Sequence, residues 1–198
     1  MEELQEELQP EVQLQAPVEN KINWKQFAWD LVETVVLAVL LYIGINAISA
    51  RVRVDGFSMR PTLDDGEFVL VNRMSYRFGT IERGDIIVFN YPANPDQELI
   101  KRVIGLPGDQ VTINNGQVAL NGYILNEPYI AAAPQYNNEW NVPDNHVFVL
   151  GDNRNNSSDS HAWGMLPIEN IVGKAIVIYW PPKMWEIIRH ANVLASIP

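Results

Sequence analysis

Cysteine is absent from this chain, which excludes disulfides, thiolate nucleophiles and cysteine-based zinc sites. Histidine is nearly absent too, with only His146, His161 and His190 to serve imidazole chemistry. Basic residues are few: 14 Lys and Arg against 24 Asp and Glu give a net charge of −10. That balance argues against a nucleic-acid partner, which would be met by a basic face. No Walker loop, dinucleotide fingerprint or zinc-protease motif occurs, and no metal or organic cofactor is implied. Long apolar runs are also lacking, apart from one.

That run extends from Thr34 to Ala50 without a charge, 17 residues or about 26 Å of helix. With the residues just before it, it is long enough for a single membrane span, placed at residues 31–50. Trp24, Phe27 and Trp29 form an interfacial aromatic cluster upstream. Ala47-Ile48-Ser49 resembles a small-x-small processing site, but a cleavable signal has a short basic start and a shorter core. An uncleaved anchor, with the lipid bilayer as partner, is the expectation. Lys21 and Lys25 flank one end and Arg51 and Arg53 the other, so flanking charge leaves the orientation tied. Residues 1–30, rich in Gln, Glu and Pro, are expected to be a disordered acidic tail.

The rest of the chain reads as β-structure. Short apolar runs such as Phe68-Val69-Leu70-Val71, Asp85-Ile86-Ile87-Val88-Phe89 and His146-Val147-Phe148-Val149-Leu150 are separated by Gly, Asn and Pro turns. Asn114-Asn115-Gly116 between Val111-Thr112-Ile113 and Gln117-Val118-Ala119-Leu120 predicts a hairpin. The fold class is therefore mainly β: an antiparallel barrel or sandwich core from residues 51–109 and 144–182. Residues 110–143 are expected to be a small β appendage. Residues 183–198 have no readable role.

Two residues carry the chemistry. Ser58 lies in Gly56-Phe57-Ser58-Met59-Arg60-Pro61-Thr62-Leu63, and Lys101 opens Lys101-Arg102-Val103-Ile104-Gly105-Leu106-Pro107-Gly108-Asp109. A third stretch runs from Gly151-Asp152-Asn153-Arg154 through Ser157, Asp159 and His161 to Gly164. A serine needs its proton removed before it attacks, and a neutral lysine can do this. At the ordinary pKa only about 0.4% of a lysine is neutral at pH 8. Lowering that pKa to about 8 requires roughly 3.3 kcal/mol, and apolar burial behind Leu99 and Ile100 is a means to it. The Ser58 amide is a candidate oxyanion donor. Ser58 is eight positions past Ala50, within about 30 Å of the anchor's end even fully extended.

Ser-Met-x-Pro-Thr, Lys-Arg-x-x-Gly-x-Pro-Gly-Asp and Gly-Asp-Asn-Arg-x-x-Ser-x-Asp-Ser, in this order behind a span, resemble the bacterial type I signal peptidase (leader peptidase) family. The Asn-Asn-Ser-x-Asp-Ser-His variant is similar to the cyanobacterial and plastid thylakoid branch. The resemblance implies a membrane serine endopeptidase that removes signal peptides after small-x-small sites. Its partners would be signal-peptide-bearing preproteins, with the secretion machinery a further candidate. It implies Ser58 as nucleophile, Lys101 as general base, Ser157 as the hydroxyl orienting the amine and Asp159 as a supporting acid. Val54, Leu63 and Ile100 would line the small-residue pockets. The catalytic domain would face away from the cytoplasm, at the plasma membrane or alternatively in the thylakoid lumen, and the acidic tail would lie in the cytoplasm. Gly56 stands where some relatives have an oxyanion-forming Ser, so a second donor is unassigned. Asn155 and His161 stand where Asp and Arg are frequent.

Other readings compete. Asp159 and His161 with Ser58 or Ser157 could form a Ser-His-Asp hydrolase, although that leaves Lys101 unexplained. His161 as a structural residue beside Trp163 is the blander alternative. A self-cleaving repressor-type protease shares Ser-Lys chemistry but lacks the anchor. A membrane-stalked, non-catalytic β-rich binding domain is the remaining rival. Asp109 is expected to belong to a turn.

Overall fold

The computed structural model describes residues 23–191; most of the acidic tail and residues 192–198 lie outside the described residues. The chain divides into two units, residues 1–42 and 43–198. Helix α1 (Trp24–Ile48) has no buried residue and is apolar on all sides. A helix on the surface of a soluble domain keeps a polar face, so an apolar one with no buried residue fits a membrane span. Among the described residues it is the one helix long and apolar enough to cross a membrane. It begins at Trp24, ahead of the expected residue 31, and Ser49 and Ala50 already belong to the strand that follows.

That strand is β1 (Ser49–Arg53), paired antiparallel with β2 (Phe68–Asn72). The short helix α2 (Ser75–Phe78) leads to β3 (Ile86–Tyr91), which turns tightly into β4 (Asn94–Gly105). Four strands then form a separate sheet: β5 (Gln110–Asn114), β6 (Gln117–Leu120), β7 (Tyr123–Ile124) and β8 (Asn138–Asn141). The chain returns through β9 (His146–Leu150), α3 (Ser160–Trp163), β10 (Leu166–Pro167), β11 (Ile171–Trp180) and β12 (Glu186–Ile187). The large sheet has the order β1-β2-β11-β3-β4-β9-β10, with β12 also on β11, and the small one β7-β6-β5-β8. Every pairing is antiparallel, and the fold is mainly β.

The local sequence accounts for much of this. β2 alternates partly buried and buried residues, the period-two pattern of a strand with one face on the core. Asn115 and Gly116 both take positive φ, 49° and 77°, the two-residue turn that matches strand twist in the β5–β6 hairpin. The small sheet joins the large one through a shared apolar cluster containing Ile104, Val111, Ile113, Val118, Leu120 and Phe148. A second cluster, with Val52, Val54, Met59, Leu63 and Ile100, lies under the loop that carries Ser58. The segment after β11, opaque in the sequence, straps across the sheet. Ile188 is buried and its N–H donates to the Ile176 carbonyl, while His190 Nδ1 accepts the Ile86 N–H at 3.2 Å.

Candidate active site

Ser58 sits in the β1–β2 connection. Gly56 has φ +95°, a conformation that L side chains rarely adopt, and its N–H donates to Asp65 Oδ1 at 2.7 Å. Met59 and Leu63, both buried, pin the loop from beneath. Lys101 lies in β4, between β3 and β9 in the sheet, and is 2% exposed. Its Nζ is 2.8 Å from Ser58 Oγ and 2.9 Å from the Ile100 carbonyl oxygen. No ion pair to Lys101 is formed among the described residues. Burial brings its pKa down to about 8, against the opposing pull of the Asp159 and Asp152 charges. The Ser58 N–H has no acceptor among the described residues, as an oxyanion donor requires.

The third motif wraps both. Asn153 donates its N–H to the Ser58 carbonyl and its side-chain amide to the Phe57 carbonyl, each at 3.0 Å. Gly151 packs against the Ser58 carbonyl and the Ser157 side chain, leaving no room for a Cβ. Asp152 accepts from Arg102 through two bonds of 2.8 and 2.6 Å and also from Thr62 Oγ1. One carboxylate thus ties the serine loop, the lysine strand and the third loop together. Asp159 caps α3: its Oδ2 accepts the Gly151 N–H at 2.9 Å, and its Oδ1 lies 2.6 Å from His161 Nδ1. Arg154 makes a second buried bidentate pair, with Glu127 from the segment between β7 and β8, at 2.7 and 2.6 Å.

Several expectations meet a different geometry. Ser157 Oγ is buried but has no hydrogen-bond partner among the described residues, and no bond to Lys101 is formed. His161 does not stack on Trp163; its ring lies flat on Tyr136, centroids 4.1 Å apart, while Trp163 packs against Phe89 and Tyr91. No serine hydroxyl bonds to His161 among the described residues, so the Asp159–His161 pair lacks a nucleophile. Asn155 uses both halves of its amide, accepting from the Gln135 N–H and donating to the Ala133 carbonyl. An aspartate could not make the second bond. Asp109 closes its turn and takes two bonds from Arg83.

A groove of about 600 Å³ opens at the dyad between β1 and β4. Val54 and Ile100 line it; Leu63, 1% exposed, lies behind in the cluster and not on the groove. Val52 and Met59 line it as well and were not anticipated. Met59 could have been suspected, since it adjoins the nucleophile in the motif. Asn153, Arg102 and Glu127 carry no local signal of their contacts.

The protein-family model described as signal peptidase, peptidase S26, matches residues 28–180. A probable signal peptidase I-2 of Synechocystis is 46% identical over 159 residues, 77% of this chain and 73% of that protein. The chloroplast thylakoidal processing peptidase 1 of Arabidopsis thaliana is 37% identical over 165 residues, 77% of this chain and 48% of that protein. A crystal structure of a signal peptidase I from Enterococcus faecalis is 32% identical, covering 48% of this chain and 96% of that one, with a TM-score of 0.45. With the motifs resembling this family in order and the family model spanning most of α1 and the core, the chain belongs to the signal peptidase family, peptidase S26, as an enzyme of the signal peptidase I type with cyanobacterial and thylakoidal relatives.

Proposed function

We propose that this peptidase cleaves signal peptides with a Ser58 nucleophile and a Lys101 general base, through an acyl-enzyme, at a membrane surface. The observation that carries the reading is the 2.8 Å approach of a buried amine, without an ion-pair partner, to the Ser58 hydroxyl. With the pKa near 8, about half of the amine is neutral at that pH, and about a tenth at pH 7.

The preprotein segment lies in the groove as an added strand between β1 and β4, with small residues against Val54, Ile100 and Met59. Neutral Lys101 Nζ takes the proton from Ser58 Oγ, which attacks the scissile carbonyl carbon. The Ser58 N–H faces the oxyanion. Collapse of the tetrahedral intermediate breaks the C–N bond, and the Lys101 ammonium hands its proton to the departing amine. The signal peptide is then held as an ester on Ser58. Lys101 next deprotonates a water that cleaves the ester and restores the hydroxyl.

Ser157 Oγ lies against the same glycine as the Ser58 carbonyl and is free to accept from the ammonium formed in each cycle. Asp159 supports the third loop through the Gly151 N–H. Helix α1 tethers the domain to the bilayer, with the catalytic unit on the extracytoplasmic or lumenal side where exported segments emerge. Ser58→Ala and Lys101→Ala should each abolish cleavage of a model preprotein in detergent while membrane insertion persists. Retained cleavage in the Lys101 variant overturns the dyad. Absence of cleavage by the wild type overturns the signal-peptide reading.

A further inference from the structure

The groove does not stay apolar along its length. Both walls, β1 and β4, run towards the dyad, so positions farther back on each strand lie farther from the cut. On β1, Val52 is buried against the core, as is Val54 just past the strand, while Arg51 and Arg53, which alternate with them, line the groove as well. On β4, Ile100 faces the same cluster as Val52 and Val54. Glu98 is two residues back from Ile100, on the same side of a regularly paired stretch: Glu98 opposes Asn90 as Ile100 opposes Val88. Glu98 lines the groove and is exposed, and its carboxylate has no hydrogen bond or ion pair among the described residues. Asp96, farther out on the same wall, adds a second negative charge. Arg53 is engaged with Asp55 at 3.5 Å.

A strand presents alternate side chains to one face. Under the proposed function, the two small residues that precede the cut, first and third upstream, sit against Val54 and Ile100. The next residue on that face is the fifth upstream, and the next group on the same face of β4 is Glu98. We propose that Glu98 is a specificity-determining residue for the proposed reaction: it reads the fifth residue before the scissile bond, favouring a cationic or hydrogen-bond-donating side chain and discriminating against an acidic one. This inference rests on the signal-peptide reading of the groove, and it concerns the signal peptide alone.

The test uses the full-length protein in detergent and a model preprotein carrying Lys, Gln or Glu at the fifth upstream position, with kcat and KM measured separately. The wild type should favour Lys over Glu by about tenfold in kcat/KM at low salt, mostly through KM, because two partly solvated charge interactions differ between the substrates. The ratio should shrink towards one in 1 M salt, where screening acts within about 3 Å. Glu98→Gln should bring it within about twofold and Glu98→Lys should invert it, while Arg77→Gln, exposed on α2 and off the groove, should leave it nearly unchanged. Moving the charge to the fourth or sixth position should weaken the discrimination, since those side chains face away. Cleavage of all three substrates at equal rates by the wild type, or a tenfold ratio that persists in Glu98→Gln, overturns this inference and leaves the peptidase reading standing. No cleavage of any of them overturns that reading, and this one with it.

Discussion

Lys101 and Arg102 are neighbours on β4, 2% and 1% exposed, and their surroundings differ completely. Arg102 is held by two bonds to Asp152, a third to the Gly84 carbonyl and the face of Tyr129 at 4.0 Å. Lys101 has a hydroxyl and a carbonyl. Successive side chains of a strand leave on opposite faces, so two cations can be assigned to two environments by a single peptide unit. One environment keeps its cation charged by pairing it. The other withholds a carboxylate partner, and desolvation then favours the neutral amine that the proposed chemistry needs. In the proposed reaction, function lies in a missing ion pair beside a complete one.

The sharpest way to break the comparison is to make the two residues alike. Lys101→Arg puts a guanidinium, which stays charged, where the proposed mechanism requires a base. Cleavage should fall about a thousandfold or more, the order expected for loss of a general base. Single-turnover cleavage of a model preprotein measures it, and a loss below tenfold would show that the base is elsewhere.

Removing each cation separately should move stability in opposite directions. Arg102→Met strands Asp152 as a buried, unpaired charge and should destabilise the catalytic unit by roughly 3–5 kcal/mol. Adding Asp152→Asn should recover a good part of that. Lys101→Met has the other sign. The folded pKa of about 8 lies below the ordinary 10.5, so the unfolded chain binds the extra proton between those values. Wild-type stability therefore carries the full cost of the buried amine below pH 8 and recovers it as pH rises towards 10.5. The methionine variant should be more stable at pH 7, by up to roughly 3 kcal/mol, and should lose that pH slope. Urea unfolding followed by tryptophan fluorescence at pH 7 and pH 10 gives both numbers. If both variants are equally destabilised, the asymmetry between the two faces of β4 is illusory.

How much of this was legible depends on how far apart the partners lie in the chain. The Asn115-Gly116 turn and the alternation in β2 are local, and local sequence carried them. The serine, the lysine and the third loop were each visible as dense motifs. Their approach needed the fold, because Lys101 and Ser58 are 43 positions apart and Asn153 reaches 96 positions back to the Phe57 carbonyl. Nothing around Glu127 announces that it will pair with Arg154, since only the docking of the small sheet creates the contact. Leu63 and His161 show the same limit at the site. A motif neighbour can be assigned to the right region while the face it presents, groove or core, Tyr136 or Trp163, is fixed by packing.

The smallest effect concerns the fine setting of the lysine. Asp159 and Asp152 both pull the Lys101 pKa upward against burial, but Asp152 is committed to Arg102, whereas Asp159 faces only the Gly151 amide and the half-buried His161. Asp159→Asn removes one negative charge and keeps an oxygen for the Gly151 N–H. The rising limb of the pH–rate profile, set by Lys101, should then move to lower pH by less than one unit, corresponding to less than about 1.4 kcal/mol. The fraction of plateau rate reached at pH 7 should rise, even where the plateau itself drops through looser placement of the third loop. His161→Ala should keep the limb, because the imidazole transfers no proton in the dyad reading. A limb that disappears with His161, or one that moves to higher pH in Asp159→Asn, would mean that the carboxylate acts on a histidine and not on the amine.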